Sequence, residues 1–130
     1  MKRTHLVLGI TLVVVFLLTG QYMEYVHNRE LPDGTRVLYR SRHIYILLNA
    51  LINTSLGLYV RYMTGGWRRS LQLIGSVLIM IAPLFLLAGF FYEPPRGAAQ
   101  TKIAPYGIFA TALGVLLHLI SGWKRGGKEL

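Results

Sequence analysis

The chain of 130 residues contains no cysteine, which excludes disulfides, thiolate metal sites, iron–sulfur ligation and c-type haem attachment. Acidic residues are scarce. Only five occur, Glu24, Glu30, Asp33, Glu93 and Glu129, and all fall outside the long apolar stretches. General acid–base chemistry by paired carboxylates within those stretches is therefore excluded. Also missing are G-x-S-x-G, the phosphate-binding loop G-x-x-x-x-G-K, H-E-x-x-H and G-x-G-x-x-G. Hydrolase, nucleotide and zinc-protease chemistry thus have no foothold, and no enzyme activity is expected.

What the sequence has in quantity is uninterrupted apolar chain. Four runs lack Asp, Glu, Lys and Arg altogether: Thr4–Met23, His43–Val60, Ser70–Tyr92 and Ile103–Trp123, of 20, 18, 23 and 21 residues. A helix rising about 1.5 Å per residue needs roughly 20 residues to cross a hydrocarbon layer of ~30 Å. A very apolar soluble bundle would still show a charged face with helical period, and these runs show none. The expectation is an all-α membrane protein, an antiparallel four-transmembrane-helix bundle with short loops in a single domain. Its spans run at about 4–23, 43–62, 70–92 and 103–123, with an outer loop at 24–42 and a basic tail at 124–130. The tyrosines and both tryptophans gather near run ends, as amphipathic rings do at headgroup level.

The net charge of +9 would suit nucleic acid in a soluble protein, but here the basic residues flank apolar runs. Anionic lipid headgroups explain them better, and no nucleic-acid partner is expected. Lys2 and Arg3 before LVLGITLVVVFLLTG resemble the start of a secretory signal, but no small-x-small cleavage site follows, so the run reads as a retained first helix. With both termini inside, eight Lys and Arg lie inside and six outside, a slight bias toward cytoplasmic termini in a bacterial inner membrane that leaves dual insertion open.

Residues 24–42 contain LPDGT, a turn signal for a small hairpin or bent turn, and GGWRRS reads as a tight inner turn. YEPPRG ends the third span, and Ala104-Pro105 opens the fourth.

The second run is unexpectedly polar. Helical spacing aligns Arg42, Tyr45, Asn49, Asn53, Leu56 and Tyr59, a stripe that should turn away from lipid because unpaired amides are costly in hydrocarbon. The fourth run offers a matching face of Gly107, Thr111, Gly114 and His118, with Ala110 and Gly114 spaced for close approach. Spans 2 and 4 are thus expected to face each other. Tyr45, Asn49, Asn53, Tyr59, Thr111 and His118 are either interhelical glue or a ligand or transport site. His5 with His118, or His27 with His43, is also open as a haem or metal pair, although no cofactor and no metal is expected. Arg36, Arg40, Arg42 and His43 stand where the second span begins and suit lipid phosphates or another anion. Pro83 should kink the third span and free the carbonyl of Ile79, with Ser76 nearby to satisfy part of the local need.

Two small four-span families invite comparison on these residues. NALINTSLG superficially resembles the polar second span of dual-topology fluoride channels, but their glycine-rich, arginine-containing opening and Thr- and Ser-rich break in the third span are absent. Small multidrug-resistance exporters use a glutamate in their first span, and this chain has none there. The role expected is a self-associating or accessory subunit in a homo-oligomer or larger membrane complex. The alternatives are a small channel or transporter for an ion or small solute with a cationic outer mouth, and third a haem- or lipid-binding membrane protein.

Overall fold

A computed structural model describes residues 1–27, 30–97, 99 and 101–123. Among them the chain is all-helical: α1 (Lys2–His27), α2 (Asp33–Tyr59), α3 (Gly66–Tyr92), a short 3-10 turn (Pro94–Arg96) and α4 (Ala104–Gly122). Three helices, α1, α3 and α4, are long and apolar enough to cross a membrane. The sequence reading expects four. α2 has 27 residues but includes Arg36, Arg40 and Arg42 as well as its two asparagines, so length without apolarity leaves it out of that set.

Helix boundaries differ from the sequence reading where turn residues tolerate a helix. The stretch read as an outer loop, 24–42, is mostly helical: α1 continues to His27 and α2 starts at Asp33, with Pro32 as the flanking residue at its start. Asp33 and Gly34 therefore lie in the first turn of α2 and form no hairpin. Similarly, the turn expected at GGWRRS is displaced: the connector is 60–65, and WRRS is already the opening turn of α3. The proline signals fall as expected. YEPPRG ends α3, because Pro94 and Pro95 lack the N–H groups to continue it, and Ala104-Pro105 begins α4. The basic tail 124–130 lies outside the described residues.

Seven-residue spacing of buried positions determines which faces meet. In α1 the seam is His5, Gly9, Leu12, Phe16, Thr19 and Met23, alternating four- and three-residue steps, as knobs-into-holes packing requires. It lies on α2 with early α1 against late α2 and late α1 against early α2: His5 meets Asn53, Gly57 admits the backbone of Leu6, and Phe16 stacks on His43. In α4 the seam is Ala104, Gly107, Thr111, Gly114, His118 and Ser121, almost all small. That smallness lets α4 settle onto α3, where Gly114 and Gly75 face each other so closely that a Cβ on either would come 2.7 Å from the other's carbonyl oxygen.

α3 is the central helix, burying Gln72, Gly75, Ser76, Ile79, Ala82, Pro83, Leu86, Gly89 and Phe90 between α2 and α4. The expected pairing of spans 2 and 4 is thus corrected. The small face of α4 is taken by α3, and α2 touches α4 at only a few positions.

Candidate functional site

The interior holds a chain of polar side chains that links α1, α2 and α4. Asn53 Nδ2 donates to Asn49 Oδ1 at 2.7 Å and to the Asn49 carbonyl at 3.0 Å. With its donors committed in this way, the amide's oxygen is left to receive, and His5 Nδ1 stands 2.7 Å from Asn53 Oδ1. Only the Nδ1–H form of His5 satisfies that contact, because a carboxamide oxygen cannot donate. His5 Nε2 is then left buried with no hydrogen-bond partner. At the other end, Asn49 Nδ2 donates to Thr111 Oγ1 at 2.9 Å, and the threonine hydroxyl donates to the Gly107 carbonyl at 2.8 Å.

Asn49 has a second role. Pro83 has no N–H, so the carbonyl of Ile79 one turn earlier has no helical donor. Asn49 Nδ2 approaches that carbonyl at 3.4 Å. Ser76, expected to help here, is engaged elsewhere: its hydroxyl lies 2.7 Å from Tyr62 OH and 3.1 Å from His118 Nε2. Beside it, Gln72 fastens the 60–65 connector, accepting from Met63 N–H at 2.8 Å and donating to the Arg61 carbonyl at 3.0 Å.

A third polar contact closes the opposite end of the helices. Arg42 Nε and Nη2 donate to Glu93 Oε2 at 3.0 and 2.9 Å. The other carboxylate oxygen, Oε1, accepts from the backbone N–H groups of Ile103 and Ala104, which begin α4. Glu93 is therefore the cap of the next long helix, α4, and the counter-ion of an arginine on α2. Burial on its own would raise its pKa; the two backbone donors and Arg42 outweigh that and hold it below the ordinary value of 4.5.

The sequence-derived candidates separate into distinct environments. Asn49, Asn53 and Thr111 come together in the buried chain, and His118 joins the Tyr62–Ser76 pair. Tyr59 does not join them, being 79% exposed. The reason is angular drift: the 17 residues from Arg42 to Tyr59 fall about 100° short of five turns at 3.6 residues per turn, so the buried face passes through Ile46 and Gly57 instead. Tyr45 is half-buried and lines a groove between α2 and α4. Of the basic group, Arg40 is exposed and Arg36 stands 3.7 Å from Asp33, while Arg42 turns inward to Glu93. His43 stacks on Phe16 with ring centroids 4.0 Å apart, and its Nε2 lies 2.8 Å from the Phe16 carbonyl. With that nitrogen donating, His43 offers no Nε2 lone pair to a haem iron or metal. The side chain of His27 lies outside the described residues, among which no cluster of three or more His, Cys, Asp or Glu gathers.

Tyr62, Gln72 and Glu93 were not among the sequence-derived site residues, while His5 entered only as a haem or metal partner of His118 and Ser76 only as a neighbour of the Pro83 kink. His5 had a usable signal: it is one four-residue step before Gly9 on the α1 seam. Glu93 had a weaker one, a lone acid between an apolar run and two prolines.

The α2–α4 groove has a volume of about 390 Å³ where Tyr45, Leu48, Leu86 and Thr111 line it. It continues into a hollow of about 470 Å³ lined by Ser55, Arg61, Gln72 and His118, and Ile52, Val115 and Leu119 belong to both. No known family model matches this sequence, and no curated protein or solved structure matches it significantly.

Proposed function

We propose that this chain is a non-enzymatic integral membrane protein, an antiparallel bundle of four membrane helices that works by association within the bilayer, with copies of itself or as an accessory subunit of a larger complex. The observation that carries this reading is where the polar groups go. Asn49, Asn53 and Thr111 are hydrogen-bonded to one another, and Ser76 to Tyr62 and His118, while Val7, Ile10, Val14, Leu17, Leu84, Phe109 and Leu119 point outward. Such an arrangement, polar inside and apolar outside, suits hydrocarbon surroundings. α2 is the fourth span in this reading, its arginines at one end and its amides sheltered by its neighbours.

The bilayer is bacterial and cytoplasmic, both termini face the cytoplasm, and Arg36 and Arg40 meet anionic headgroups on the far side. The test is extraction and sizing. The protein should stay with membranes in alkaline carbonate and, in mild detergent, run by light scattering as an oligomer or with a stoichiometric partner. Recovery as a detergent-free monomer refutes the reading. Because the asparagines bond within the chain, Asn49→Leu should weaken the fold more than the association.

A small channel or transporter is the second reading, favoured by His5 Nε2, a buried nitrogen with no partner at the end of the polar chain. Liposomes carrying the protein should show no ion or solute flux above empty ones; flux that His5→Phe abolishes would replace the first reading with this one.

A further inference from the structure

α2 and α4 approach each other closely where Asn49 donates to Thr111, and above that contact the space between them stays open. The opening is long. From Tyr45 to Val60 the groove follows α2 for about 22 Å at 1.5 Å per residue, more than the roughly 15 Å of one leaflet's hydrocarbon. Its floor is closed where the side chains of Asn49 and Thr111 meet at 2.9 Å, and a single hydrocarbon chain can follow such a trough along both walls.

Its two ends differ chemically. Toward Tyr45 the walls are almost wholly apolar, with Leu48, Ile52, Val115 and Leu116. Toward the 60–65 connector, Ser55, His118 and Arg61 enter the lining. Arg61 is exposed, and its guanidinium has no partner among the described residues. Gln72 holds the backbone of Arg61 by its carbonyl, which keeps this residue in the lining at that end of the groove. An apolar trough with an exposed guanidinium at its end, unpaired among the described residues, matches an amphiphile with a long tail and an anionic head.

We propose that the α2–α4 groove binds one hydrocarbon chain of an anionic phospholipid, with its tail along Ile52, Val115 and Leu119 and its phosphate on Arg61. This rests on the membrane reading above. The experiment reconstitutes the full chain into bilayers of equimolar phosphatidylglycerol and phosphatidylcholine, extracts it gently and counts retained lipids by native mass spectrometry. One phosphatidylglycerol per chain is expected, at least five-fold over phosphatidylcholine. Val115→Trp fills the trough and should cut retained lipid at least five-fold, and Ala112→Phe on the same wall should do likewise. Leu113→Trp, outside the groove, should not. Arg61→Gln should keep a bound lipid but lose the headgroup preference.

Unchanged retention in both groove-filling variants, or equal retention of the two lipids by the native chain, overturns the proposal. So does a Leu119→Cys variant that crosslinks to a second copy in native membranes, since the groove would then be covered by protein. Carbonate-resistant membrane residence with no lipid adduct refutes the groove alone, whereas loss of that residence refutes the membrane reading itself.

Discussion

Asn49 and Pro83 should be energetically coupled, although they lie on different helices. Asn49→Leu removes two donated bonds, to Thr111 Oγ1 and the Ile79 carbonyl, and the bond accepted from Asn53. At about 0.6 kcal/mol each, the average for side-chain bonds between membrane helices, these contribute about 2 kcal/mol. The Ile79 carbonyl is then left without any donor, since Pro83 supplies none, which adds about 1 kcal/mol. The expected loss is about 3 kcal/mol. In a Pro83→Ala background, the substituted residue supplies the missing N–H to Ile79, and the same Asn49→Leu change should cost about 1 kcal/mol less. Unfolding of the four proteins by dodecyl sulfate in mixed micelles, followed by helical circular dichroism, closes the cycle. Equal costs in both backgrounds, or a cost below about 1 kcal/mol in the native one, would refute the role given to Asn49.

Other substitutions test the remaining contacts. Glu93 has its folded-state pKa below the unfolded value of 4.5, so its stabilisation is complete above pH 4.5 and is lost as the pH falls through the folded value. Stability in micelles should therefore drop on acidification below that point, and Glu93→Gln should cost about 3 kcal/mol at neutral pH while removing most of this acid dependence; an unchanged acid profile would refute it. Gly57→Ala places a Cβ 2.6 Å from the Leu6 backbone and should destabilise by about 1–3 kcal/mol in the same unfolding assay. Gly34→Ala, with nothing within 4 Å, should stabilise α2 by up to about 1 kcal/mol, so equal effects of the two changes would contradict the packing described. Because His43 Nε2 is committed to Phe16 and His118 Nε2 to Ser76, purified protein titrated with haemin should develop no Soret band of a bis-histidine complex.

Helix number and approximate position were legible because charge avoidance and proline are local signals. Pro94, Pro95 and Pro105 mark boundaries by lacking N–H groups, whatever the tertiary surroundings. Less legible were turns built from residues that a helix also accepts. Asp33 and Gly34 read as a small hairpin or a bent turn, yet an acid in a first turn complements the helix dipole as well as it suits a turn. The polar stripe of α2 was legible at Asn49 and Asn53 but not at Tyr59, because counting in threes and fours accumulates angular error along a long helix. Partner choice was the least legible. The small residues of α4 show that something approaches closely, but a Gly107–Thr111–Gly114 face fits α3 as well as α2, and only packing decides between them.

The polarity of α2 and the order of the bundle have one cause. α1 rests on α2, and α4 rests on α3, so two helix pairs must be held together across their centre. α3 brings to that centre a proline that leaves a carbonyl unpaired, and α4 brings a threonine hydroxyl. Leucine at position 49 could pack there but could donate to neither. The amide reaches both, while its oxygen draws in Asn53 and through it His5 on α1. Asn49 and Asn53, two of the residues that keep α2 below the apolarity of its neighbours, are the ones through which all four helices are joined.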